Sequence, residues 1–242
     1  MRRLVVAGAL VAAALMLVVT WQRSGSSAAD TRGIAAAPTA ELAPNGPPDP
    51  PETLATVGGS LGLDLPISQQ RVTAIVYHAT GSSDAIPLSP AGKQQNAGFL
   101  ARLGERLFGG GSDSGPRYYI DGAGDGPDTG SVDVGAPAGT NVYAPVDGVV
   151  TSVQPYVLNG TVQGSIVQIR PSDLAAVIVT VGNLGRHLNV DVGSPVERSV
   201  TKLGTVVDLS RMLDQTVANY TSDAGNHVSL QVEPAPGASP LL

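Results

Sequence analysis

The side chains of this chain that could bind a metal ion or transfer a proton near neutral pH are few. The 242 residues include three histidines, His78, His187 and His227, together with 20 aspartates and glutamates and no cysteine. Without cysteine the chain forms no disulfide, and any metal site must use His, Asp or Glu. The first question is which of these side chains the fold brings together.

Some of these residues are explained without a ligand. Asp121, Asp125 and Asp128 cluster as calcium ligands do, but they lack the spacing and the closing glutamate of a calcium loop, so we predict a solvated loop. His78, in VYHAT on a predicted strand, has no Asp, Glu or Cys at ligand spacing, and we predict a structural role for it. Asp133 lies near a tight turn, where an aspartate can hydrogen-bond its own backbone.

The elements that must position these residues are predicted to be mainly β. Clusters of Val, Ile and Thr, together with 30 glycines and 19 prolines, are typical of short strands joined by tight turns. One helix is predicted among them, with Asp208 as its N-cap and an apolar face that ends at Tyr220. The main strands are predicted at about 141–153, 165–170, 176–182 and 227–232.

Three blocks of sequence resemble the lysostaphin-type, or LytM-like, zinc endopeptidases, which cut the peptide cross-links of bacterial cell walls. VDVGAPAGTNVYAPVDGVVTSV is similar to the strands around the family's Ala-Pro-x-Gly-Thr corner. VDVGSPVERSVTKLGTV is similar to its Val-x-x-Gly-x-x-Val hairpin, and AGNHVSLQV to its closing strand. The resemblance covers residues 129–232 and implies a β-sandwich of the duplicated hybrid motif type.

Active members of the family carry an H-x-G-x-D block, a Gly-His-Leu stretch and an H-x-H block. The resemblance implies that the first His, the Asp and the last His hold zinc, while the other two histidines assist the attacking water. The corresponding residues here are Thr129, Asp133, Asn183, His227 and Ser229. Catalytic zinc takes three protein ligands, and the hydroxyls of Thr129 and Ser229 cannot replace imidazoles. We therefore predict no catalytic residue, no metal ligand set and no cofactor, with Asp133 and His227 as the surviving positions.

Two other residues could complete a metal site. Asp128 could supply an oxygen after a shift of one residue, although neighbours on a strand point to opposite faces. His187, in GRHLNV, could be a displaced copy of the catalytic His, although it lies nearer the Val-Gly hairpin than the family spacing implies. The alternative is therefore an active zinc-dependent peptidoglycan endopeptidase with non-standard ligands. For His227, a tolerated and partly exposed residue at the start of a strand is the simpler interpretation.

Other functions are disfavoured by the same sequence. The hairpins also resemble biotinyl and lipoyl carrier domains, but Lys202 is the one lysine of this region and its SVTKLGT context lacks the carrier pattern. The net charge of −6 disfavours a nucleic-acid partner, since binding to a phosphate backbone depends on clustered Lys and Arg.

The N-terminus predicts export. Two arginines precede an apolar run from Leu4 to Trp21, which at the rise of an α-helix is roughly 27 Å long, enough to cross a bilayer. Residues 1–23 are thus a signal anchor or signal peptide. We favour an uncleaved membrane anchor through residues 4–21, and cleavage after Ala29 is the alternative.

The remaining chain is predicted to have four parts. Residues 24–66 are a Pro/Ala-rich linker without helix or sheet, and residues 67–117 are a small α+β segment whose helix begins at Ser89. Residues 118–233 are the LytM-like domain, and residues 234–242 are a disordered tail. The whole predicts an exported cell-envelope protein whose degenerate, non-catalytic domain, a pseudo-peptidase, binds peptidoglycan or a cell-wall hydrolase partner.

Overall fold

A computed structural model of the chain describes residues 45–82, 84–98, 115–122, 126–210 and 215–238. The prediction of a mainly β protein is confirmed. The regular structure of these residues consists of strands and of two short 3-10 helices, Gln69–Arg71 and Thr216–Asn219. The strands are β1 (Thr53–Val57), β2 (Leu61–Asp64), β3 (Ala74–His78), β4 (Leu88–Pro90), β5 (Lys93–Gln94), β6 (Arg117–Asp121), β7 (Ser131–Gly135), β8 (Asn141–Tyr143), β9 (Gly148–Leu158), β10 (Thr161–Pro171), β11 (Val177–Leu184), β12 (Pro195–Val196), β13 (Lys202–Thr205) and β14 (His227–Pro234).

The strands form one large sheet and two small ones. The large sheet has the order β12-β9-β10-β11-β14-β7-β3-β6-β5, and the small sheets are β2-β1-β4 and β13-β8. One apolar core contains side chains from all three sheets, such as Leu54 of β1, Leu203 of β13 and Leu230 of β14. This arrangement is consistent with the predicted sandwich. It places β7 inside the large sheet, between two antiparallel neighbours, β14 and β3.

The longest hairpin, β9 and β10, turns at Asn159 and Gly160. Both residues have positive φ, 50° and 74°, which is the conformation of the Asn-Gly turn that matches the twist of paired strands. Three of the predicted main strands, those at 165–170, 176–182 and 227–232, are found. The fourth prediction, one strand over 141–153, is divided in the structure into β8 and the start of β9, with Pro145 between them.

The predicted linker is wrong for its described part, residues 45–66. The segment TLATVGGSLGLD forms the hairpin β1-β2, with Gly58 and Gly59 at positive φ in the turn. Its leucines fill the core, and Leu54 and Leu63 are fully buried. The prediction of a linker was based on the prolines, most of which lie before this hairpin. The proline content of the whole stretch therefore outweighed the alternating apolar residues that indicate strands.

The predicted helices are also corrected where the structure describes them. Ser89, the expected helix start, lies in β4, and residues 99–114 are outside the described part. The segment from Asp208 to Tyr220 is not one helix, because Gln215 is extended and a 3-10 helix follows it. Within the described residues no helix is long and apolar enough to cross a membrane, and the predicted anchor at 4–21 lies outside them.

The predicted boundaries at residues 117 and 234 do not separate structural units. β6 begins at Arg117 and pairs with β3, which itself pairs with β7, so the proposed α+β segment shares a sheet with the LytM-like region. At the other end, Pro234 belongs to β14 and Ala235 is buried, while residues 239–242 lie outside the described part.

Candidate functional site

Asp133 lies on β7, in the interior of the large sheet. It is in register with Ser229 of β14 and with Val76 of β3. Side chains alternate between the faces of a strand, so the valines of β7 enter the main core while Ser131 and Asp133 project from the opposite face. The two family positions on β7 and β14, Asp133 and Ser229, are thus adjacent on one face.

Two histidines reach Asp133 diagonally across its neighbouring strands. His78 is in register with Ser131, and His227 is in register with Gly135, so each histidine is two positions from Asp133 on the same face. Diagonal partners are close enough for long side chains to touch. Nε2 of His78 lies 3.1 Å from Oδ2 of Asp133, and Nε2 of His227 lies 3.4 Å from the same oxygen.

The other ring nitrogen of each histidine faces a backbone carbonyl. Nδ1 of His78 lies 2.8 Å from the oxygen of Ala79, and Nδ1 of His227 lies 2.8 Å from the oxygen of Gly225. Nδ2 of Asn183 is 2.8 Å from Nε2 of His227. Nε2 of His227 therefore lies between the Asn183 side-chain amide and the Asp133 carboxylate, while Nδ1 faces the Gly225 carbonyl.

Asn183 reaches His227 from an irregular part of β11. Its φ is 57°, a left-handed conformation that asparagine adopts more readily than most residues. The irregularity belongs to the pairing of β10 with β11, whose register shifts between Ser165 and Val167. Asn183, for which the sequence resemblance implies the position of a catalytic histidine, is therefore a hydrogen-bonding partner of His227.

His78 has acceptors at both ring nitrogens. Nδ1 faces the Ala79 carbonyl and Nε2 lies 3.1 Å from a carboxylate oxygen, and a nearby negative charge favours the charged imidazolium. The short contact with the Asp133 carboxylate raises the pKa of His78 to about 9, which outweighs the opposite effect of burial. Nε2 of His78 has no aligned hydrogen-bond partner, so its attraction to Asp133 is that of an ion pair.

Asp133 is held as a carboxylate in a buried position. Burial by itself would raise its pKa, but the interactions with His227 and His78 and a hydrogen bond from Ser229 together lower it. Asp133 and His227 are 6% and 5% exposed. The prediction that His227 is a partly exposed residue is therefore wrong, because β14 places it inside the sheet rather than at a free strand end.

The face of the sheet that carries Asp133 and the two histidines also carries apolar side chains. Val76 of β3 and Val217 of the second 3-10 helix are fully buried there together with Ala74, and Tyr220 packs against them. The cluster formed by His78, Asp133, Asn183 and His227 is thus adjacent to a second, small apolar core. We call these four residues the Asp133 cluster.

The remaining predicted site residues lie outside the Asp133 cluster. Thr129 is half-buried, and its carbonyl accepts a hydrogen bond from the Leu88 N–H. Asp128 and His187, which could have restored a metal site, are both exposed and do not contact Asp133.

His78 is the site residue whose position the sequence did not predict. It lies at the end of the alternating stretch VTAIVYH, which predicts a strand and puts Ala74, Val76 and His78 on one face. The partner of that strand, β7, is more than fifty residues away, and its register was not readable from the pattern. The pairing of β3 with β7 is what brings His78 to Asp133.

The zinc implied by the family resemblance does not fit the ligand positions that the resemblance implies, because two of the three, Thr129 and Ser229, carry neutral hydroxyls. A zinc ligand must offer a lone pair to the metal. Here Oδ2 of Asp133 contacts Nε2 of His78 and Nε2 of His227, and Nε2 of His227 also contacts the Asn183 amide. Among the residues that the structure describes, no group of three His, Asp or Glu side chains is arranged to hold a metal ion.

Comparisons with known proteins give structural neighbours only. No protein-family model matches the chain, and no curated protein is significantly similar to it. The NMR structure of lysostaphin is 19% identical, over 42% of this chain and 35% of its own, with a TM-score of 0.32. For the SpoIIQ-SpoIIIAH pore-forming complex the identity is 18%, over 42% of this chain and 54% of that one, with a TM-score of 0.29.

The M23 metalloprotease pseudoalterin is 17% identical, over 49% of this chain and 62% of its own, with a TM-score of 0.32. The chain therefore spans less than two thirds of each of these three structures.

Proposed function

We propose that the chain is an exported cell-envelope protein whose LytM-like domain is non-catalytic and binds peptidoglycan. The observation that carries the proposal is the chemistry of the family positions. Hydroxyls stand at two of the three ligand positions, Thr129 and Ser229, and the third, Asp133, is ion-paired with His78. A hydrolase of this class needs a metal with an open coordination position, and these residues do not offer one.

A cleft near the Asp133 cluster has the chemistry of a binding site. It encloses about 380 Å³ beside the start of β3 and strand β6, and its lining includes Tyr119, Tyr220, Arg117, Gln69 and Glu52. The two tyrosine rings lie with their centroids 4.7 Å apart. Aromatic surfaces combined with a few polar groups recognise amphipathic ligands, a class that includes N-acetylated sugars and short peptides.

Export is the second component of the proposal. The arginines at positions 2 and 3 and the apolar run from Leu4 to Trp21 support a segment that inserts in the cytoplasmic membrane and leaves the rest of the chain outside. A protein placed there meets the cell wall directly. A cell-wall hydrolase is the other partner that this location offers.

The proposal is tested by sedimentation of the full chain with purified peptidoglycan. We expect the wild-type protein to sediment with the wall and Tyr119→Ala to lose most of this binding, because the substitution removes one of the two aromatic rings of the cleft. Tyr156→Ala is the matched control, since Tyr156 lies on β9 and does not line the cleft. A wild-type chain that stays in the supernatant would contradict wall binding and direct the search to a hydrolase partner.

The same preparation tests the absence of catalysis. The full chain is incubated with zinc, its bound metal is measured, and released wall peptides are analysed by mass spectrometry. We expect neither stoichiometric zinc nor peptide release. Both together would establish the alternative, a zinc-dependent peptidoglycan endopeptidase with non-standard ligands, and would contradict the proposal.

A further inference from the structure

A second cavity, larger than the cleft lined by Tyr119 and Tyr220, lies beside the segment that precedes β1. It encloses about 1080 Å³. Its walls include residues between positions 46 and 53, Ser68 with the adjoining 3-10 helix, and two glycines, Gly92 and Gly115. None of its lining residues belongs to residues 129–232, so it is separate from the positions that the family resemblance concerns. We call it the Asp49 cavity.

The lining of the Asp49 cavity is rich in hydrogen-bond acceptors and negative charge. Asp49 and Glu52 contribute carboxylates, and Pro47, Pro50 and Pro51 contribute backbone that has a carbonyl but no N–H. No lysine, arginine or histidine is among the lining residues that the structure describes. The cavity therefore favours a ligand that carries a positive charge and donates hydrogen bonds.

Neither carboxylate of the Asp49 cavity is paired with a cation in the part of the chain that the structure describes. The ion pairs there involve Asp64, Asp133 and Asp147 instead. Asp49 is exposed, whereas Glu52 is half-buried. A carboxylate that is partly withdrawn from water interacts more strongly with a nearby positive charge than a fully exposed one does. Glu52 is therefore expected to contribute more than Asp49 to the binding of a cation.

Ser68 is a second and independent sign of a ligand. Its side chain lines the Asp49 cavity although the residue is only 6% exposed. Ser68 stands at the N-cap of the 3-10 helix, but its hydroxyl does not cap that helix and has no hydrogen-bonding partner among the described residues. A buried hydroxyl without a partner is costly, and a ligand that hydrogen-bonds to it through the cavity removes that cost.

The wall of the Asp49 cavity is held in place by Gln69. Its Nε2 donates to the carbonyl of Pro50, and its Oε1 accepts from the backbone N–H of Asp49 at 3.3 Å. These bonds tie the segment before β1 to the 3-10 helix. A cavity whose walls are already fixed binds a ligand at a lower cost in conformational entropy.

We propose that the Asp49 cavity is a ligand site for the primary ammonium group of an extended, flexible ligand. An ammonium group has three donors and no acceptor, which matches two carboxylates and a hydroxyl. The volume is at the upper end of small-molecule sites, so the ligand is longer than a single amine. A lysine-like side chain of a peptide and a free polyamine both have this chemistry. The site goes beyond the proposed function, which places wall binding in the neighbouring cleft.

The first experiment titrates the full chain with three probes by isothermal titration calorimetry at low salt. The probes are the tripeptide Ala-Lys-Ala with blocked ends, the same peptide acetylated at its lysine, and spermidine. We expect the acetylated peptide to bind at least about 10-fold more weakly than the unmodified one, because acetylation removes the charge. Spermidine binding more tightly than the peptide identifies a polyamine as the ligand, and the reverse order identifies a peptide. Equal binding of the two peptides, or no binding of either cation, would overturn the proposal.

The second experiment removes both carboxylates. Asp49→Asn with Glu52→Gln should weaken binding of the tighter cation about 10- to 100-fold, the range expected when hydrogen bonds to a charged group are lost. Asp173→Asn with Glu197→Gln is the matched control, since both residues are exposed and do not line the cavity. Folding of each full chain is checked by circular dichroism. Equal losses in the two double variants would mean that only the net charge matters and would contradict the proposed site.

Ser68→Ala separates a ligand contact from a structural role. We expect it to weaken binding about fivefold, as for the loss of one hydrogen bond, without lowering the free energy of unfolding measured in urea. Its hydroxyl has no partner in the folded chain whose bond would be lost. A variant that is less stable but binds the cation as the wild type does would show that Ser68 supports the fold and not the ligand.

Tyr119→Ala makes this inference distinguishable from the proposed function. Tyr119 lines the smaller cleft and not the Asp49 cavity, although Glu52 and Gln69 line both. The variant should therefore lose wall binding and retain binding of the cation. A wild-type chain that binds the cation but not peptidoglycan would contradict the proposed function alone. A chain that binds peptidoglycan but neither cation would contradict the ammonium site alone.

Discussion

Asp133 and His78 form an ion pair whose strength depends on the charge of both groups. The Asp133 carboxylate has a lowered pKa and stays ionised through the neutral range. The pKa of His78 is raised to about 9 from an ordinary value near 6.5. A group whose pKa is raised on folding binds its proton more tightly in the folded chain, so the folded state is stabilised wherever the group is protonated.

The free energy of unfolding should therefore depend on pH through the titration of His78. The contribution of the ion pair is fully present below about pH 6.5 and is lost as the pH rises through about 9. We expect the free energy of unfolding, measured by urea denaturation of the full chain, to fall between pH 6.5 and 9.5 in the wild type. In His78→Gln the fall should be smaller, because the titrating group is absent.

Two carboxylates and a second histidine lie around His78. Asp133 and Asp121 raise its pKa, and His227 shares the Asp133 oxygen. His187→Gln, an exposed histidine on another part of the chain, should retain the wild-type pH dependence. A wild type and a His78→Gln variant with the same slope over this range would show that the ion pair does not contribute to stability.

At the scale of the strands, the sequence predicts single elements better than their pairing. β14 and the corner after β7 follow from motifs that carry their own turns, and both are where those motifs predict. The hairpin β1-β2 was missed because the prolines before Thr53 dominated the composition, although Gly58-Gly59 between two alternating stretches is a hairpin signal. The contact of His78 with Asp133 depends on the pairing of β3 with β7, which no local pattern determines.

The pairing of β10 with β11 positions Asn183 and can be tested through Gly164. A Cβ at Gly164 would lie 2.3 Å from the carbonyl oxygen of Leu184, the residue that follows Asn183. The backbone of β11 must move to accept it, so we expect Gly164→Ala to lower the free energy of unfolding by about 1 to 3 kcal/mol. The measurement is chemical denaturation followed by circular dichroism.

Gly182→Ala is the control for that substitution. A Cβ there would meet Ser229 Cβ at 3.7 Å, an ordinary contact, although Gly182 lies on the same strand as Asn183. It should change stability less than Gly164→Ala. If the two variants were equally stable, the close approach of β10 and β11 would not be a constraint on this part of the fold.

For the molecule as a whole, the strands before the family-like region are part of the folded unit. The residues that the structure describes fall in one compact unit, and the sheet β2-β1-β4 contributes to the same core as the family-like strands. Polar contacts join the same parts. The hydroxyl of Ser199 donates to Asp64 at 3.1 Å, and the backbone N–H of Asn141 donates to the side chain of Asn45 at 2.6 Å. The region that resembles the LytM-like family is thus completed by residues outside it.

Truncated chains test whether the family-like region can fold without the strands that precede it. Removal of residues 1–44 leaves every described contact in place, so that chain should unfold cooperatively with β-sheet circular dichroism. Removal of residues 1–66 deletes Leu54, Leu61, Leu63 and Leu65, all of which are at most 2% exposed. Burial of each such side chain is worth about 1.5 to 3 kcal/mol, so together they approach the roughly 5 to 15 kcal/mol that keeps a typical domain folded.

The shorter chain, beginning at residue 67, should therefore be soluble only in part and should lose its cooperative transition. Removing β1 and β2 also uncovers β4, whose Leu88 is buried against them. A chain from residue 67 onward with the same urea midpoint as the chain from residue 45 onward would contradict this expectation. In that case the hairpin β1-β2 would not be needed for the family-like region to fold. If the chain from residue 67 onward instead loses its cooperative unfolding, the hairpin is a structural part of the domain.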